Sequence, residues 1–351
     1  MIELATEYGL FLIKVATIVV AILFIVGGIV SAAARAKQAQ SDDEGYLKIR
    51  FLNDELDRLK QGLTDAVTPD HLRKALHKEE KQRAKLEAKQ KKKAGTNAVN
   101  KQRLFVLDFD GDIQAHGVEH LRREINAIIQ VAKAEDEVVI RLESPGGLVH
   151  SYGLAASQLR RFRTQGIKLT VVVDKVAASG GYMMACIGDR IVSAPFAIIG
   201  SIGVVAQIPN VHRLLKKNDV DVELMTAGEY KRTLTVIGEN TDKARQKFQQ
   251  ELDETHGLFK TFVRENRRSL DIDKVATGEH WFGTQAKELG LVDDIMTSDE
   301  YLQLRKDSHD IYSVQWEMKQ RLAERLGFSV EGALTRVMEK GWQKLSQRPW
   351  Q

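Results

Sequence analysis

RLFVLDF at residues 103–109, VEHLRREINAIIQVAKA at 118–134, EVVIRLES at 137–144, GLVHSYGLAASQLRRFRTQ at 147–165 and KLTVVVD at 168–174 follow one another almost without a gap. The first, third and fifth pieces are short and apolar, as buried strands are. The second and fourth are longer and amphipathic, with apolar residues three and four apart as on one helix face. A β-α-β-α-β series of this kind predicts an α/β fold with a mostly parallel sheet, right-handed crossovers and both faces covered. Chemistry in such sheets gathers at the carboxyl ends of the strands. Two glycine-rich loops fall there, SPGG at 144–147 and AASGG at 177–181.

Upstream of the series the composition changes. Residues 35–103 hold 18 Lys or Arg against 11 Asp or Glu, a net of +7 where the whole 351-residue chain nets +4. KEEKQRAKLEAKQKKKAG at 78–95 is made of helix formers and ends at a glycine, so the segment reads as a solvated helical spacer with a basic end. It has no interleaved aromatics and no recognisable reader fold, so nucleic acid is not an expected partner; anionic lipid headgroups suit it better. Before it, GLFLIKVATIVVAILFIVGGIV at 9–30 is long enough to cross a bilayer core. Lys14 sits near one end, where its stem can carry the ammonium to the interface. SAAARA at 31–36 would suit a cleaved signal, but the apolar run is long for one and no basic residue precedes it. Residues 1–34 are therefore expected to be an uncleaved membrane anchor and lipid the partner of its helix. Arg35, Lys37, Lys48 and Arg50 follow the run and no Lys or Arg precedes it, which favours a cytoplasmic position for the rest of the chain.

Downstream, IVSAPFAIIGSIGVVAQI at 191–208 could pose as a second span, but Pro195, Gly200, Ser201 and Gly203 break it into short β-type runs. Residues 239–269 show Phe248, Leu252, Phe259 and Phe262 at helical spacing, an apolar face for the core or for a second subunit. From Ile311 the tail reads as amphipathic helix, with Trp316, Leu322, Leu326 and Trp342 apolar, so 301–351 is expected to be a helical extension.

The loop VAASGG places one hydroxyl, Ser179, between alanines and glycines. A serine attacks a carbonyl only when a base removes its proton and donors stabilise the oxyanion. Gly180 and Gly181 clear side chains from beside Ser179, and Gly146 and Gly147 allow the backbone dihedrals that expose N–H groups. The nine histidines are scattered, His71 and His77 in the spacer and the others without an acid at a telling spacing. A lysine is the alternative base, at a cost: holding an amine of ordinary pKa about 10.4 neutral near pH 7.5 takes about 4 kcal/mol of burial. Lys231, in TAGEYKRTLT at 226–235 after the apolar VDVELM, stands apart from the Lys-rich spacer, though spacing alone does not select it. The lone cysteine, Cys186, lies in an apolar stretch and reads as a core thiol; no disulfide or cysteine zinc site can form, and neither metal nor cofactor is expected.

VAASGGYMMA at 176–185, APFAIIGSIGVV at 194–205, GEYKR at 228–232 and WFGTQAKELGLVDDI at 281–295 together resemble the signal peptide peptidase A family of membrane-anchored serine proteases. The resemblance covers residues 104–300, which become the expected catalytic domain. It implies a Clp-protease-like, crotonase-type fold and a Ser/Lys dyad, with Ser179 as nucleophile and Lys231 as general base. It also implies that Ser201 hydrogen-bonds the lysine, although a turn serine is the plainer reading, and that the N–H groups of Gly147 and Gly180 form the oxyanion hole. Ser144 and Ser157 lack glycines on both sides and read as structural. The chain departs from the family pattern at Glu279 and His280, where an Arg-Val pair is usual; this puts substrate preference in doubt. Single-unit relatives assemble as rings in which neighbouring subunits supply serine and lysine, so a homo-oligomer acting on peptides or unfolded proteins is expected. Localisation would be the bacterial inner membrane, single-pass, with the family favouring the periplasmic face against the charge rule. A catalytically silent membrane scaffold on the same fold and acyl-CoA chemistry are the alternatives.

Overall fold

The computed structural model describes residues 45–94 and 101–318. The chain divides into two units, 47–316 and 1–46 with 317–351; residues 45, 46, 317 and 318 are the described part of the second. In order the elements are β1 (Gly45–Phe51), α1 (Leu52–Val67), α2 (Asp70–Ala94), β2 (Gln102–Asp110), α3 (Val118–Val131), β3 (Glu137–Glu143), α4 (Val149–Thr164), β4 (Lys168–Val173), β5 (Val176–Ala178), α5 (Gly180–Ala185), β6 (Arg190–Ser193) and β7 (Ile198–Gly200). They continue with α6 (His212–Lys217), α7 (Asp242–Asn266), α8 (Ile272–Val275), β8 (His280–Phe282), α9 (Gly283–Glu288), β9 (Asp294–Ile295), α10 (Ser298–Arg305) and β10 (His309–Met318).

The expected β-α-β series is β2-α3-β3-α4-β4, and the fold is α/β with a mostly parallel sheet. The large sheet runs β1-β10-β2-β3-β4-β6-β9, with the neighbours from β10 through to β9 all parallel. Alternation along each strand sends side chains to opposite faces. Phe105, Leu107, Phe109, Val138, Ile140, Leu142, Leu169, Val171 and Val173 meet Leu121, Ile125, Ile128, Tyr152, Leu159 and Phe162 from α3 and α4. Leu104, Val106, Val139, Val172, Val192 and Ile311 turn the other way, to Tyr301 and Leu302 of α10 and Leu52 at the start of α1. Burying such a side chain contributes roughly 1.5–3 kcal/mol, so both faces are held. A small second sheet, β5-β7-β8, carries the candidate site; β5 pairs β7 in parallel and β7 pairs β8 antiparallel.

Three expectations need correction. The tail was expected to be helical from Ile311, yet residues 309–318 form β10, parallel to β2 with Ile311 opposite Leu104. Ile311 and Ser313 are buried on one side of a run with a two-residue period, IYSVQW, which the longer helical pattern of the tail obscures. The helical spacer holds a strand as well, β1, at the edge beside β10. Buried Asn53 then ties α1 to that region: its amide donates to the carbonyls of Lys306 and His309, both at 3.0 Å, and its oxygen accepts from Ile311 N–H at 2.8 Å. The extension expected from 301 also begins inside the core, because Tyr301 and Leu302 of α10 cover the sheet. Residues 191–208 contain β6 and β7 rather than a second span. Among the described residues no helix is long and apolar enough to cross a membrane, and the anchor expected at 1–34 and the tail beyond 318 lie outside them.

Candidate active site

The parallel pairing of β5 with β7 sets Ala178 opposite Gly200, so the residues that follow, Ser179 and Ser201, leave two neighbouring strands side by side. Both have φ of 52°, the left-handed region that a serine enters at a cost of about 1–3 kcal/mol. Backbone bonds enforce it. Ser179 N–H donates to the Gly200 carbonyl at 2.8 Å, and Ser201 N–H donates to the Glu279 carbonyl at 2.7 Å. Ser179 also precedes α5, and its carbonyl accepts from Met183 N–H at 2.9 Å, while its side chain caps none of the helix N–H groups. Its hydroxyl is thereby kept for another partner.

SPGG lies against this turn. Ser144 bridges Ala177: its N–H donates to the Val176 carbonyl at 2.8 Å and its carbonyl accepts from Ala178 N–H at 3.0 Å. Gly146 has φ of +92°, and a Cβ there would lie 2.7 Å from Ser179 Cβ and 2.8 Å from Gly180 N. A Cβ on Gly180 would overlap the Tyr152 ring, and one on Gly147 the Ile113 carbonyl. The glycines therefore let two backbones and an aromatic ring touch. Among the described residues the N–H groups of Gly147 and Gly180 donate to no other group, the latter being a first-turn donor with no carbonyl behind it.

Sequence reasoning missed the support beneath this loop. Tyr152, fully buried on α4, donates its hydroxyl to the Asp112 carbonyl at 2.7 Å and accepts from Ser144 Oγ at 2.6 Å; Ser144 Oγ in turn accepts from Gly146 N–H at 3.1 Å. Burial pushes the Tyr152 phenol above its ordinary pKa, keeping it a donor. A tyrosine inside an amphipathic helix gives no sign of such a role. Ser157 merely donates to the Gly153 carbonyl of its own helix at 2.7 Å. Trp281 of the WFG motif lies under Gly200, where a Cβ would fall 2.9 Å from its ring.

Lys231 is placed differently. It is exposed on residues 203–241, where α6 is the single regular element, and among the described residues its side chain makes no hydrogen bond or ion pair. The dry surroundings expected for the base are not formed within one chain. The same segment exposes Val205 at 91% and Met225 at 86%, with Leu214, Leu224, Tyr230, Val236 and Ile237 also open. Elsewhere, burial pushes the Cys186 thiol up to about 12, which keeps it protonated and inert. Among the described residues no three His, Cys, Asp or Glu side chains converge as metal ligands would.

Two family models match the chain, "Peptidase family S49 N-terminal" over residues 3–159 and "Peptidase family S49" over 161–311. The "Probable protease SohB" of Haemophilus influenzae is 52% identical over 350 residues, 96% of each chain. That of Buchnera aphidicola subsp. Acyrthosiphon pisum is 57% identical over 241 residues, 69% of this chain and 72% of its own. A solved 1510-N membrane-bound stomatin-specific protease covers 66% of this chain and 98% of its own, at 14% identity and a TM-score of 0.40. With both halves of its length matched and a relative sharing every second residue almost end to end, the chain belongs to peptidase family S49.

Proposed function

We propose that this S49 peptidase hydrolyses peptide bonds in unfolded or membrane-derived polypeptides through an acyl-enzyme on Ser179. One observation carries the assignment of roles: a strained, uncapped serine lies against Gly146 of the SPGG loop, and among the described residues the N–H groups of Gly147 and Gly180 donate to no acceptor. A scissile carbonyl seated there meets the Ser179 hydroxyl, and its oxygen gains charge where Gly147 and Gly180 can donate. The base that takes the Ser179 proton passes it to the leaving amine as the C–N bond breaks; water then gives a proton to the same base as it attacks the acyl carbonyl, and Ser179 regains that proton when the acid departs.

Lys231 is the proposed base in both halves, with Ser201 beside the nucleophile to orient its amine. In a single chain that amine is exposed, and a lysine serves as a base only where water is excluded. The proposal is therefore a homo-oligomeric ring in which the 203–241 segment of one copy lies on the Ser179 face of the next. Its exposed Val205, Met225, Val236 and Ile237 are apolar surface of the kind interfaces cover, and their burial would dry the lysine. The apolar run at 9–30 is proposed to hold the enzyme in a bacterial inner membrane as a single span.

Ser179→Ala and Lys231→Ala should each lower cleavage of an unfolded protein by at least about 10³-fold. Co-expressing the two dead variants should restore part of the activity, because some interfaces then pair an intact serine with an intact lysine. A mixture that stays dead places both groups in one chain. Full activity in either single variant removes the dyad and assigns cleavage to other residues, whereas a wild-type chain that cleaves nothing leaves the scaffold reading.

A further inference from the structure

Helix α2 carries a feature that peptide hydrolysis does not use. Lys74, Lys78, Lys81, Lys85 and Lys89 recur at steps of four, three, four and four residues, and all five are exposed. At 100° per residue they fall within about 80° of the helix circumference, and at 1.5 Å per residue they span about 22 Å. By the same period exposed Glu79 falls on the far side, while Asp70, at the start of the helix beside the row, is paired with Arg73. Among the described residues none of the five makes an ion pair or hydrogen bond. The start of the helix is fixed: Leu72 and Arg73 N–H donate to the Pro69 carbonyl at 3.0 and 3.1 Å, and His77 bonds Asp65 of α1 at 2.6 Å. With 25 residues against 16, α2 outruns α1, so the lysine row continues past the hairpin.

We propose that this lysine row docks on the surface of an anionic lipid bilayer. Phosphate headgroups in a plane match a straight cationic row, and flanking basic residues are drawn to such a surface within a Debye length. Nucleic acid fits less well, because residues 70–94 contain no Phe, Tyr or Trp on which bases could stack. The occupant also lies close by in sequence: the apolar run at 9–30 ends about forty residues before the row begins. To that extent the inference rests on the membrane attachment proposed above, and the test separates the two.

The full-length chain is reconstituted into vesicles of phosphatidylcholine with or without phosphatidylglycerol. Retention on the neutral vesicles after an alkaline wash reads the anchor by itself. Acetylation by a membrane-impermeant ester, read by mass spectrometry, then compares the five lysines with exposed Lys133 and Lys274. The expected result is at least threefold slower labelling of the row on anionic vesicles, lost near 1 M salt where screening acts within about 3 Å. Equal labelling on both compositions overturns the proposal, as does protection that appears only when single-stranded RNA is added to neutral vesicles. Should the chain wash off neutral vesicles, co-sedimentation with anionic ones decides: binding abolished by replacing the five lysines with Gln supports the row, and no binding overturns it.

Discussion

The two halves of the candidate site are built in opposite ways. Ser179 stands at the end of a strand, on a turn fixed by backbone hydrogen bonds, against a glycine loop braced from below by buried Tyr152 and Ser144. Lys231 stands on a long irregular segment whose apolar residues face outward. Positioning a nucleophile and its oxyanion donors is a matter of bonded geometry, which one chain can supply. Keeping an amine neutral is a matter of excluding water, and this chain leaves that side open. Under the proposed roles, control of the enzyme falls in the exposed half, since a nucleophile already in place would act only once the base is covered.

The largest effect that would test the contrast is on the rigid half. Gly180→Ala drives a methyl into the Tyr152 ring, so the N–H must move, and loss of one oxyanion donor costs about 10²–10³ in kcat. Steady-state cleavage of an unfolded substrate reads it; near wild-type turnover would mean the oxyanion sits elsewhere. Next comes the exposed half. Met225→Glu with Val236→Glu should lower activity by about 10²-fold and the sedimentation coefficient together, while circular dichroism of the chain stays unchanged, because both side chains are already open to water. An active variant that sediments as a single chain would place the covering of Lys231 within one copy.

A smaller change probes the brace. Tyr152→Phe removes one donor and leaves the buried Ser144 hydroxyl without an acceptor, worth about 1–2 kcal/mol and so about tenfold or more in kcat, with KM little changed. A drop confined to KM would assign the pair to substrate binding instead. The smallest effect lies far from the chemistry and bears on the fold alone. Glu124 of α3 is 3% exposed and accepts Trp316 N–H of β10 at 2.7 Å, and burial pushes its carboxyl up to about 7, with the Asp108 charge adding. Between the ordinary carboxylate range and pH 7 the folded chain holds a proton that the unfolded chain has released. Stability from this group is therefore full at acid pH, declines as pH rises to 7 and is flat above. Glu124→Gln keeps the acceptor without the charge, so urea unfolding should show it gaining on the wild type from pH 5 to 7. An unchanged difference would mean the carboxyl is solvated.

The β-α-β core was legible because alternating apolar strands and amphipathic helices are local patterns, and 103–174 contains little else. SPGG and AASGG were legible for a similar reason, as glycines cluster where backbones must approach closely. The strand at 309–318 was not, since its two-residue period lasts barely ten residues and its partner β2 lies some two hundred positions away. Tyr152 was equally silent, because the hydroxyl that braces the loop is indistinguishable in sequence from an ordinary core ring. Local pattern thus determined which residues become strands, helices and glycine turns. Tertiary structure alone decided that Gly146 meets Ser179 and Gly180, that Ser201 stands beside Ser179, and that Lys231 remains in water, since these depend on which strands pair and on which surfaces a chain can bury by itself.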